Sequence, residues 1–120
     1  MSSEERFASR VYLGAAIYGI AALALAYLQP VPDPWHLTHL GFVGTAMAFQ
    51  GVFLVIARDP RRYLALIPVT FFEKIAFGVP AVAFAATGHA ELSSALFGGI
   101  DLLLMALFVV AWLKLRRAES

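Results

Sequence analysis

The sequence contains no cysteine, which excludes disulfides, thiolate metal sites and cysteine nucleophiles. Charge is also scarce, because Asp, Glu, Lys and Arg make up only 14% of the 120 residues, against about 25% in a typical soluble domain. The chain has no phosphate-binding glycine loop and no GxSxG, HExxH or DxDxDG motif. The net charge of +1 does not indicate a nucleic-acid partner. We therefore expect neither a cofactor nor a catalytic residue from the sequence.

Apolar residues make up 61% of the chain and are concentrated in four long runs. A helix needs about 20 residues to cross a bilayer at a rise of about 1.5 Å per residue. The runs at 11–28, 35–57, 63–86 and 91–113 have that length. The sequence therefore predicts a single all-α domain, a four-helix transmembrane bundle. Because the connections are short, neighbouring helices should form two antiparallel helical hairpins.

Basic residues lie on one side of this predicted bundle. Eight of the nine Lys and Arg residues fall near the termini or between the second and third runs, and the two opposite loops contain none. These eight are Arg6, Arg10, Arg58, Arg61, Arg62, Lys114, Arg116 and Arg117. The positive-inside rule then predicts that both termini are cytoplasmic.

Two further features of the sequence allow other interpretations. The segment Ala24-Leu25-Ala26 resembles a signal-peptide cleavage site, so the first run is either a span or a removed leader. Residues 17–28 also align without gaps on residues 76–87, with Gly19 on Gly78 and Tyr18 on Phe77. This alignment is what a parallel duplication of one hairpin would leave, although alanine richness also produces such matches.

Ionisable residues interrupt the third and fourth runs. Lys74 lies twelve residues beyond Arg62, or about 18 Å from the boundary, and Asp101 lies about 19–20 Å from the same boundary. A charge at this depth is costly unless it is paired. The sequence therefore predicts an ion pair between Lys74 and Asp101, on neighbouring helices.

Glu73 adds a second acid to this pair. Its side chain should point about 100° away from that of Lys74, so the two are not expected to face Asp101 together. Glu73 then either holds a proton or has another hydrogen-bond donor. The candidate donors are the polar side chains of Gln50, Tyr18 and Thr70.

Prolines and histidines suggest two more features. Pro68 and Pro80 flank the charged residues, and each is expected to kink the third helix, as happens both in ordinary membrane helices and at transporter binding sites. The three histidines are predicted to lie toward the outer side and could together bind zinc or copper, although their spacing matches no known metal motif. They are His36, His39 and His89.

Three short features carry a resemblance to a known family. They are Ala57-Arg58-Asp59-Pro60 after the second run, Glu73-Lys74 within the third and Asp101 within the fourth. With these features, nearly the whole chain resembles small four-span bacterial proteins of the DoxX-like membrane families. The resemblance implies a four-helix bundle in a bacterial inner membrane, and it implies no activity.

The sequence supports three functional hypotheses. The leading one is a small non-enzymatic membrane protein, an accessory subunit or partner-binding bundle, in which Lys74 and Asp101 fix the helix register. Its partners would be the lipid bilayer and either a second copy or another membrane protein. The first alternative is a small proton-coupled transporter or channel subunit that uses Glu73, Lys74 and Asp101. The second is a membrane redox or quinone-linked enzyme subunit built around His39, Glu73 and Asp101.

Overall fold

The computed structural model describes residues 1–119, and this part of the chain contains helices and no strand. The long helices are α1 (Ser3–Tyr27), α2 (His36–Arg58), α3 (Ile67–Ala86) and α4 (Leu92–Glu119). A turn of 3-10 helix precedes α2 at Asp33–Trp35, and another precedes α3 at Leu64–Leu66. All four long helices are long and apolar enough to cross a membrane, which indicates a multi-pass membrane protein.

Helix α1 begins at Ser3, well before the predicted start of the first span at residue 11. The Ser2 side chain caps the helix by accepting a hydrogen bond from the Glu5 N–H at 3.1 Å. The negative charges of Glu4 and Glu5 in the first turn also interact favourably with the helix dipole. The apolar runs do not predict this extension, because they mark only the apolar part of a helix. For the same reason α4 extends past the predicted boundary at residue 113.

The prolines of α3 act differently from each other. Pro68 lies in the first turn of the helix, where its missing N–H is not needed by the helix, and only Pro80 lies inside α3. The expectation of a kink at Pro68 is therefore wrong. After α3 the chain turns through Gly88, whose φ of 79° is in the left-handed region that favours glycine.

The helices contact one another unequally. Helix α3 packs mainly against α4, and α1 packs mainly against α2. Helix α1 also contacts α4, whereas α2 and α3 barely touch. Helices α3 and α4 approach closely at Gly98, where an added Cβ would lie 3.0 Å from the Gly78 carbonyl oxygen. The fold is thus a set of four helices in the packing order α2, α1, α4, α3, with a loose seam between its two outer members.

An aromatic cluster fills the core in the half of the bundle that holds both termini. The rings of Tyr12 on α1 and Phe108 on α4 are stacked with centroids 4.2 Å apart. Phe53 on α2 meets both rings edge-on, at 5.8 Å from Tyr12 and 5.3 Å from Phe108. All three side chains are fully buried, and the cluster joins α1, α2 and α4. It lies next to the charged residues of α3.

Candidate functional site: two carboxylates around one lysine

Lys74 lies between two carboxylates inside the bundle. Its Nζ is 3.4 Å from Oδ1 of Asp101 on α4 and 3.5 Å from Oε2 of Glu73 on its own helix. Only 3% of the lysine side chain is exposed, against 14% for Glu73 and 13% for Asp101. The structure therefore contains the Lys74–Asp101 contact that the depth count predicts, and it adds the second acid to the same ammonium.

The sequence predicts that the side chains of Glu73 and Lys74 point in different directions, and the structure nevertheless brings the Glu73 carboxylate to the Lys74 ammonium. A lysine side chain carries its charge on a flexible four-carbon stem, so Nζ reaches a neighbour whose Cβ points elsewhere around the helix. The contact at 3.5 Å is an ion pair without a hydrogen bond, and Oε2 of Glu73 has no hydrogen-bond partner among residues 1–119. The lysine donates its hydrogen bond to Asp101 instead.

None of the three predicted donors reaches Glu73. The Gln50 Nε2 donates to the Ala46 carbonyl oxygen of its own helix at 2.8 Å. Thr70 Oγ1 donates to the Ile67 carbonyl oxygen at 2.6 Å and lies 2.8 Å from the Tyr12 hydroxyl. Tyr18 makes no hydrogen bond within the described chain. The prediction that Gln50, Tyr18 or Thr70 partners Glu73 is therefore wrong, because Gln50 and Thr70 bond to other groups and Tyr18 bonds to none in the described chain.

Gln50 faces α1 and not the charged cluster. Only 2% of its surface is exposed. It packs against Gly19, where an added Cβ would collide with the Gln50 amide. Its Oε1 has no hydrogen-bond donor in the described part of the protein. Gly19 therefore provides the space for a buried amide, a role that the sequence alone does not indicate.

The cluster has an aromatic side and a side turned toward the loose seam. Lys74 Nζ lies 5.1 Å from the ring centroid of Phe53, within the range of a cation–π contact. One turn after Glu73, the ring of Phe77 lies 6.0 Å from Phe42 of α2. Residues four apart share a helix face, so Glu73 is on the side of α3 turned toward α2. Glu73, whose Oε2 accepts no hydrogen bond among the described residues, is thus the carboxylate nearer to the seam between α2 and α3.

The histidines do not form a metal site. His39 Nε2 lies 2.9 Å from the Ala26 carbonyl oxygen, and His89 Nδ1 lies 2.9 Å from the Thr87 hydroxyl. His36 is 3.7 Å from Asp33. No group of three or more His, Asp or Glu side chains within residues 1–119 could hold a metal ion. The metal prediction is wrong because the three histidines contact different neighbours and do not form a group, and His39 is not among the groups that contact the buried charges.

Phe53 is the member of this site that sequence reasoning did not find. It lies among many apolar residues of α2, and only the crossing of the helices brings its ring to Lys74. The sequence feature that sets Phe53 apart is its large side chain in an alanine-rich region. Such a signal predicts core packing in general and does not name the charged neighbour.

Comparison with protein-family models found no matching family, and comparisons with curated proteins and with solved structures found no match. The interpretation of the site therefore rests on its own geometry.

Proposed function

We propose that this protein is a small non-enzymatic accessory bundle in a bacterial inner membrane, made of the antiparallel hairpins α1–α2 and α3–α4. The hydrogen bond from Ser9 Oγ to the Ala57 carbonyl oxygen, at 2.6 Å, supports the first hairpin because it joins the start of α1 to the end of α2. The one-sided distribution of basic residues supports cytoplasmic termini. The location comes from the DoxX-like resemblance.

The observation that carries this proposal is the position of Lys74 between two acids on two helices. Sliding α4 by one turn would move Asp101 by about 5.4 Å, which would separate opposite charges in a medium of low dielectric constant. The cluster therefore selects one register of α3 against α4. A bundle with a fixed register presents a constant outer surface, which is what an accessory subunit needs to bind a membrane protein or a second copy of itself.

A second candidate function follows from the excess of acid. Two carboxylates and one ammonium carry a net charge of −1 when all are ionised, and one bound proton makes the cluster neutral. Neutrality is strongly favoured where water is excluded. Glu73 is the candidate for this proton because its Oε2 accepts no hydrogen bond within residues 1–119, whereas Asp101 accepts one from Lys74. A proton held next to a loose seam is what a proton-coupled transporter subunit requires.

Liposome reconstitution with an imposed pH gradient separates the two candidates. An accessory bundle should leave the proton leak of protein-free vesicles unchanged, as reported by an entrapped pH-sensitive dye. A leak that disappears in Glu73→Gln but persists in Glu91→Gln would assign the cluster to proton movement and overturn the accessory role. Glu91 is a suitable control because it is an exposed acid outside the cluster, whose carboxylate accepts a hydrogen bond from the Ser93 hydroxyl.

A further inference from the structure

A groove of about 600 Å³ runs along the outer surface of the α1–α2 hairpin, and no residue of the charged cluster lines it. Its apolar walls come from Leu13 on α1 and from Leu54 and Val55 on α2, all of them exposed. Its floor is formed at Gly51, where no heavy atom lies within 4 Å of the position that a Cβ would occupy. We call this feature the Gly51 groove. It is a notch in the surface that faces the bilayer.

One positively charged side chain, that of Arg58, lies at one end of the Gly51 groove. Arg58 is the last residue of α2, it is exposed, and it lines the groove. Its guanidinium has no ion pair or hydrogen bond within residues 1–119. The acid next to it, Asp59, accepts a hydrogen bond from the backbone N–H of Arg62. The hydrogen-bond donors of the Arg58 guanidinium are therefore free within the described chain, and they lie directly beside the apolar walls of the Gly51 groove.

We propose that the Gly51 groove binds a phospholipid, with one acyl chain lying over Gly51 and the phosphate paired with Arg58. Arginine recognises phosphate through two parallel hydrogen bonds, and it is the preferred residue for this contact. Arg58 lies at the charged boundary of the predicted span, the level at which lipid phosphates are found. Gly51 is seven residues, or about 10 Å, deeper along α2, where the acyl chains begin.

The combination of notch and cation distinguishes this site from general lipid contact. A smooth helix surface touches acyl chains without holding any one of them, whereas a missing side chain lets a chain approach the helix backbone and gain close contacts. Charge complementarity fixes the other end of the lipid. Free phosphate would use only Arg58 and leave the apolar walls unexplained.

Native mass spectrometry of the delipidated full-length protein tests the proposal with three probes. They are dioleoylphosphatidylglycerol, glycerol phosphate and dioleoylglycerol, which together separate the contributions of phosphate and acyl chain. We expect the intact phospholipid to form a saturable adduct of one lipid per chain, and neither fragment to do so. Arg58→Gln and Gly51→Leu should each weaken its binding about tenfold, because a charged hydrogen-bonded contact or the groove volume is lost.

Matched controls are available on the same protein. Arg62→Gln removes a neighbouring exposed arginine that does not line the groove, and Gly99→Leu fills open space on α4. Both should bind the phospholipid as the unchanged protein does. Arg58 is exposed at a helix end, so its variant should fold even if Gly51→Leu does not.

Three results would overturn the proposal. One is phospholipid affinity that is unchanged in Arg58→Gln and in folded Gly51→Leu. Another is glycerol phosphate binding as tightly as the intact lipid, which would leave the groove without a role. The third is a dimer that Gly51→Leu dissociates, which would assign the groove to a second copy of the chain.

Discussion

The hydroxyl of Tyr12 on α1 lies 2.8 Å from Oγ1 of Thr70 on α3. Both side chains are fully buried, and the tyrosine ring also stacks on Phe108 of α4 and meets Phe53 of α2. Tyr12 thus contacts all three other helices. Because α2 and α3 barely touch each other, this one residue joins parts of the bundle that are otherwise loosely connected.

Removing the Tyr12 hydroxyl should destabilise the bundle slightly. Tyr12→Phe keeps the ring and loses one buried hydrogen bond, which costs about 1 kcal/mol. Tyr12→Ala also loses the stacked ring and should cost about 3–5 kcal/mol. Thermal unfolding in detergent, followed by circular dichroism, measures both effects.

Tyr27→Phe is the matched control for the hydroxyl, since Tyr27 is 43% exposed and lies near the opposite end of α1. It should unfold within about 0.5 kcal/mol of the unchanged protein, as exposed substitutions usually do. Equal losses in Tyr12→Phe and Tyr27→Phe would show that the buried hydrogen bond has no special importance.

The sequence predicts the helices of this protein well and their rotations poorly. Apolar runs of bilayer length locate four helices, and helix rise places Lys74 and Asp101 at one level. Neither argument says which way a helix is turned about its axis. For this reason the sequence makes Gln50 a candidate partner of Glu73, whereas the structure turns it toward Gly19 on α1.

The internal alignment relates two aromatic contacts in the structure. It relates residues by an offset of 59, since residue 17 aligns with residue 76. The same offset places Tyr12 on Phe71 and Phe53 on Trp112. Tyr12 meets Phe53 edge-on at 5.8 Å, and Phe71 meets Trp112 edge-on at 6.0 Å. Duplication of a hairpin stays a prediction, but these two contacts are what it would leave in the core.

The charged cluster predicts unequal effects of removing its members. Lys74→Met leaves two carboxylates without a counter-charge and should cost about 3–5 kcal/mol, as breaking a buried ion pair does. Asp101→Leu should cost less, because Lys74 keeps Glu73 at 3.5 Å. The double variant should be more stable than Lys74→Met alone, because it leaves one carboxylate without a counter-charge, Glu73, where the single variant leaves two. Unfolding of the three variants in the same detergent measures this order.

Glu91→Leu serves as the control for this series because it removes an exposed acid just before α4. It should change stability little, whether or not Lys74→Met is present. Single substitutions at Lys74 and Asp101 that cost nothing would mean that the cluster does not fix the helix register.

Two adjacent glycines of α4 provide the sharpest test of helix packing. Gly98 contacts α3, whereas its neighbour Gly99 does not. A Cβ at Gly98 would lie 2.8 Å from Cβ of Ala81 and 3.0 Å from the Gly78 carbonyl oxygen, whereas a Cβ at Gly99 would meet nothing within 4 Å. Helix rotation decides which of the two glycines makes the contact, and residue spacing alone does not determine this rotation.

Gly98→Ala should therefore force α3 and α4 apart and cost about 1–3 kcal/mol, as overpacking does. Gly99→Ala should be neutral or stabilise the protein by up to about 1 kcal/mol, because alanine favours a helix over glycine. Both variants carry the same chemical change on the same helix, so their difference in unfolding temperature reports the contact itself. If Gly99→Ala proved the more damaging of the two, α4 would have to be rotated by about 100° from the orientation that places Asp101 beside Lys74.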